Sequence, residues 1–87
     1  MAYVWVFNGS RNRFPSAVFV SRDEAERWIA STQAIGTLTK YPLGVSAYDW
    51  AVQNGYFTPS TPDHSTPAFI SNFSSASQDH YHFEPDE

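Results

Sequence analysis

Residues 21–36 read SRDEAERWIASTQAIG, and no other stretch narrows the fold as much. Ser21 and Glu24 have the spacing of a capping box, in which the hydroxyl accepts from the amide three residues on and the carboxylate reaches back to the cap amide. Asp23 and Glu24 also complement the positive end of the helix that follows. Ala25, Trp28, Ile29 and Thr32 recur along one helical face. Trp28 and Ile29 are therefore expected to face a sheet, with Arg22, Glu26 and Arg27 toward water. Gly36 is expected to end the helix in a left-handed conformation.

The segments on either side of this helix carry strand patterns. YVWVF (3–7) is β-branched and aromatic on both alternating faces, which predicts a central strand buried on both sides. NGS supplies turn residues and RNRF lengthens the loop, so SAVFV (16–20) is expected to pair antiparallel with the first strand. Residues 37–41 are expected to form a third strand that ends at Pro42 or lies on an edge, because Pro42 has no amide proton to donate. A short helix over 46–55 is capped by Ser46, has Asp49 in its first turn and stops at Asn54-Gly55. Ala47, Trp50 and Ala51 mark its expected buried side. After a Pro/Ser/Thr-rich loop, Thr66 and Pro67 suit the cap and first position of a third helix, with Phe69, Ile70 and Phe73 as its apolar stripe. HYHFE (80–84) closes the pattern as a last strand.

The order β-β-α-β-α-α-β predicts one α+β domain over residues 1–87, with residues 85–87 flexible. A mostly antiparallel sheet of about four strands carries two to three helices on one face. At 87 residues the chain is near the lower limit for an unassisted core. It has no cysteine, which excludes disulfides and thiolate zinc sites. Seven Phe, five Tyr and three Trp supply the apolar mass instead, each ring able to bury roughly 150–250 Å². Trp5, Trp28 and Trp50 are expected in the core. No apolar run is long enough to span a bilayer or to act as an export signal, so the expected setting is the cytoplasm, away from membranes.

Charge is unevenly placed. Residues 1–40 hold all five basic side chains and three acidic ones, while residues 41–87 hold six carboxylates and no Lys or Arg. Such a second half repels phosphate backbones and attracts basic proteins, which argues against a nucleic-acid partner.

The residues able to carry chemistry gather near the end of the chain. On a strand, His80, His82 and Glu84 share one face and Tyr81 and Phe83 the other. Imidazoles suit a first-row metal, but ligands on one strand are spaced about 6–7 Å apart. A metal reading therefore needs His64 to join His80 and His82. No nucleophile elbow is present, and Asp49 already has a role at a helix N-terminus, so no catalytic set is assigned. Arg11 and Arg13 form a candidate anion site in the FNGSRNRF loop, which lacks the spacing of a phosphate loop. The tyrosines add a further signal, because Tyr gives contact area at low entropy cost.

VWVFNG, FPSAVFVSRDEAERWI, GTLTKYPLGVSAYDWA, NGYF and FISNFSSASQDHYHFE together carry a resemblance. Across residues 3–84 the chain resembles a family of small bacterial domains of unknown function. No catalytic residue is carried over from the resemblance, and no cofactor is expected. Such domains are similar in size and acidity to immunity proteins, which neutralise a toxin by occluding it. The expected function is thus a non-enzymatic protein-binding domain, an antitoxin facing a basic toxin. Its expected contacts are Tyr48, Tyr56, Asp79, His80, Tyr81, His82 and Glu84. The alternative is a small metal- or ligand-binding domain, with or without enzymatic activity, using His64, His80 and His82. Oligomeric state is left open.

Overall fold

The structure is a computed structural model and describes residues 2–85. The last two residues of the expected flexible end, 86 and 87, lie outside the described residues. Four strands form the sheet: β1 (Tyr3–Gly9), β2 (Pro15–Phe19), β3 (Gly36–Pro42) and β4 (His80–Phe83). Their order across the sheet is β2-β1-β3-β4, and every pairing is antiparallel. Three helices complete the fold: α1 (Arg22–Thr32), α2 (Ala47–Gln53) and α3 (Pro67–Ser71). A 3-10 turn at Pro62–Ser65 lies between α2 and α3. The α+β class and the element order are those that the sequence predicts.

Strand alternation and register divide the side chains between two faces. Trp5 pairs with Phe19 and Lys40, and Phe7 with Ala17 and Leu38. Leu38 in turn meets Tyr81, and Gly36 meets Phe83. This face is covered by α1, whose Ala25 and Ile29 are buried against Trp5, Phe7 and Leu38. Trp28 closes the cluster edge-on to Phe7, with ring centroids 5.4 Å apart, and lies 5.6 Å from Phe19. Phe7 and Leu38 are almost wholly buried, and each such side chain stabilises the fold by about 2–3 kcal/mol. Among the described residues no helix covers the opposite face. β1 is central, as expected, but its Val4 and Val6 are only half-buried. Expecting cover on both sides of this strand was therefore wrong: α1 covers one face, and the aromatic side chains of α2 and α3 pack around Tyr48 instead.

Helix α1 also ends earlier than the sequence suggests. Gln33, not Gly36, takes the left-handed conformation (φ 56°, ψ 38°), and its amide donates to the Ile29 carbonyl. Gly36 opens β3 beside Gly9. A Cβ there would overlap the Asn8 carbonyl oxygen and lie 2.9 Å from the Phe7 ring. This glycine is required by close approach of two strands, a demand that helix signals do not reveal. At the other end of α1, one half of the capping box is formed: the Glu24 amide donates to Ser21 Oγ at 3.2 Å.

The second half of the chain builds its own packing centre. Tyr48 of α2 lies 5.4 Å from Phe73, 5.9 Å from Phe57 and 6.2 Å from Phe69. Phe57 in turn lies 5.0 Å from Phe73 and 5.6 Å from Phe69. Tyr48 and Ala51, three residues apart on one helical face, are the buried residues of α2. Trp50 points elsewhere and is half-exposed, against the expectation of a core tryptophan. The reason is tertiary. Phe57, Phe69 and Phe73 fold back onto the Tyr48 side, whereas of the aromatic residues after α2 only Tyr56 packs against Trp50. Thr66 caps α3 as predicted, accepting from the Phe69 amide at 3.2 Å. The chain then returns to the sheet through the buried Gln78, whose Nε2 donates to the Lys40 carbonyl at 3.2 Å. The Lys40 amide donates to the Asp79 carbonyl at 2.9 Å, which holds the entry to β4.

Candidate interaction surface

The uncovered face of the sheet is built from every second residue of four strands. Val6 lies between Val18 and Thr39, Val4 beside Tyr41, and Asn8 beside Thr37. His80 and His82 continue the rows opposite Thr39 and Thr37. β-branched residues dominate because they pack well on a pleated surface. Val18 is 62% exposed, and Phe14 and Val20 at the two ends of β2 are more exposed still. None of these paired positions is Lys, Arg, Asp or Glu.

The surface is hollowed. A depression of about 300 Å³ is lined by Val6, Asn8, Pro15, Thr39 and Tyr41. A second, of about 290 Å³, shares Thr39 and Tyr41 and runs to His80 under the wall formed by Ser74, Ser75 and Ala76. The two form one trough across β1 and β3. Its floor offers methyl groups, threonine hydroxyls and one phenol.

The contact residues predicted from the sequence do not form one surface. Tyr48 is buried at the centre of the second packing centre and is unavailable to a partner. Tyr81 lies on the covered face, 6.2 Å from Trp5. Arg22 lies over its ring, with the guanidinium carbon 3.7 Å from the centroid, and donates to its hydroxyl at 2.9 Å. Tyr56 is exposed and packs against Trp50, with centroids 5.3 Å apart. Together with Tyr3, Lys40, Gln78 and Asp79 these two line a separate cleft of about 260 Å³. Glu84 borders a groove at the C-terminal end of α1. Only His80 and His82 belong to the open face. Arg11 and Arg13 are exposed in the β1–β2 loop, where the Arg13 guanidinium lies 5.9 Å from the Phe14 ring centroid.

The three histidines do not combine. His64 accepts from the Ser60 amide through Nδ1 at 3.1 Å and packs between Phe57 and Phe69. It is a member of the aromatic cluster. Among the described residues no three histidine, aspartate or glutamate side chains converge where a metal ion would sit. No helix of the described residues is long and apolar enough to cross a membrane.

A domain of unknown function, DUF7710, matches residues 4–87. The chain belongs to that family. No curated protein and no solved structure matches it. The resemblance read from the sequence thus has the right extent, while the DUF7710 match carries no link to toxin immunity. For this DUF7710 domain the open-face residues Val6, Thr39 and Tyr41 of the trough, and Val18 beside it, were absent from the predicted contacts. Their signal was present as alternation in VWVFN and TLTKY. Reading the first of these as doubly buried concealed it.

Proposed function

We propose that this chain is a non-enzymatic protein-binding domain that presents the open face of its sheet to a partner. The observation that carries this reading is a face of apolar and hydroxyl side chains, free of charged residues at every paired position and with Val18 62% exposed. Interface centres are depleted in charge in the same way, and a contiguous exposed apolar patch marks an interaction site. β2 adds an edge beside which no strand of the described residues lies, a ready template for an added strand.

The partner class that fits is a basic protein, of the toxin kind that is neutralised by occlusion. Asp49, Asp63, Asp79 and Glu84 are exposed, and none occupies a paired position on the open face. They would act on the rate of encounter through their field, while Val18 and Tyr41 make contact.

The test is recovery of the partner from the source cells with three forms of the chain. Val18→Glu places a charge on the face without touching the core and is expected to abolish recovery. Tyr56→Ala alters the separate cleft and is expected to recover the partner as the unaltered chain does. Retention by Val18→Glu, or loss with Tyr56→Ala alone, would move the contact surface off the sheet. Recovery of no partner by any form would remove the binding reading.

A further inference from the structure

The structure places His80 and His82 side by side on β4, at the margin of the open face. Their rings are 5.3 Å apart between centroids and nearly perpendicular, at 88°. Both side chains are exposed. Each Nδ1 already has a neighbour, at 2.8 Å from the Gln78 carbonyl for His80 and 3.3 Å from Thr37 Oγ1 for His82. We propose that this pair is a chelating site for a divalent first-row transition metal, ligated through the two Nε2 atoms.

Three physical points lead there. First, a carbonyl can only accept, so the Nδ1 of His80 must carry the proton in that hydrogen bond. The neutral ring then has its lone pair at Nε2, the tautomer that metal ligation needs. Second, the Thr37 hydroxyl can accept from Nδ1 of His82 and hold that ring in the same tautomer. An outer hydrogen bond of this type, from ligand imidazole to a carbonyl or hydroxyl, orients a ligand and raises its basicity. Third, the spacing is suitable. Two imidazoles bound to one ion at about 2.0–2.1 Å, with a tetrahedral angle between them, bring their ring centroids to roughly 5 Å.

Two imidazoles leave the remaining coordination positions to water, so the site is an open one. Nitrogen ligands and an unenforced geometry place copper(II) tightest, then nickel(II), by the Irving–Williams order. His64 takes no part: its Nδ1 accepts from the Ser60 amide, which leaves the proton of the neutral ring on Nε2, and the ring packs between Phe57 and Phe69 in the other packing centre. The site differs in this from a three-histidine centre. It is also independent of the partner reading, because it needs only this chain and the ion.

The experiment is calorimetric titration of untagged chain with nickel(II) and with copper(II), with retention on an immobilised-nickel column as a second readout. One ion per chain is expected. His80→Ala and His82→Ala are each expected to weaken binding at least tenfold and to abolish retention. Thr37→Val, which removes the outer hydrogen bond while keeping the ligands, is expected to weaken it about tenfold. His64→Gln is expected to bind as the unaltered chain does. Far-UV circular dichroism checks that each variant keeps its fold, which substitutions at exposed positions on an edge strand are expected to do. Stoichiometric binding that survives the double substitution of His80 and His82 would overturn the proposal. So would equal affinity in either single variant, or no binding by about millimolar metal.

Discussion

Tyr48 and Trp50 show how two aromatic residues on one short helix exchange the roles their surroundings suggest. Trp50 has the larger apolar surface, yet it lines a surface cleft, while Tyr48 is 9% exposed among three phenylalanines. Composition predicts that both are valuable as buried mass; it does not say which side of α2 the later chain will cover. The hydroxyl of Tyr48 is not stranded, since no side-chain polar atom among the described residues is buried without a partner. Its stabilising part is the ring. Tyr48→Phe is therefore expected to change stability by no more than about 0.5 kcal/mol, whereas Tyr48→Ala should cost roughly 3 kcal/mol through the cavity it opens. Urea denaturation of the two variants measures both numbers. Equal, small effects would return Tyr48 to the surface. His64 follows the same logic, since its ring is held by Phe57 and Phe69 at 5.2 and 4.8 Å.

At the level of elements, local signals read from the sequence held wherever they were truly local. Ser46 and Thr66 accept the amides expected of them, and Pro67 starts α3. β4 sets Tyr81 and Phe83 toward α1 and exposes His80 and His82, as alternation predicts. What was not legible depends on residues far apart in the chain. Nothing between residues 21 and 36 states that Gly36 will meet Asn8 across the β1–β3 ladder, so a helix-ending glycine was the natural reading. The open face was half-legible: its alternating residues could be read, but the number of helices available to cover them could not be turned into a side. The β1–β3 pairing is sensitive to a single added atom at Gly36. Gly36→Ala puts a methyl group against the Asn8 carbonyl and the Phe7 ring. Backbone cannot yield as a flexible side chain does, so a loss of about 2–3 kcal/mol is expected by thermal or urea unfolding. A loss near zero would mean that β1 and β3 separate more easily than the pairing implies.

The whole molecule is longer than its mass requires. Its Cα radius of gyration is 14.6 Å and its extents are 45 × 27 × 19 Å, whereas a compact domain of 87 residues would have a radius of about 12 Å. The cause is the division of aromatic mass. Trp5, Phe7, Phe19, Trp28, Tyr81 and Phe83 serve the sheet and α1. Tyr48, Phe57, Phe69 and Phe73 serve α2, the 3-10 turn and α3, and among the described residues no aromatic pair joins the two sets. Sequence predicts enough rings for one core and cannot show that they are split into two. The split has a thermodynamic consequence. Elements that share few buried contacts with the rest of a protein can open without global unfolding. Residues 47–73 can thus open while Gln78 and the Lys40–Asp79 bond keep β4 paired. Native-state hydrogen exchange is expected to show amides of α2 and α3 exchanging at least tenfold faster than those of Trp5, Phe7 and Leu38. Tyr48→Ala should widen that gap by accelerating exchange in α2 and α3 alone. If the variant instead lowers protection equally in both regions, the two aromatic sets unfold as one unit and the division seen in the packing has no energetic counterpart.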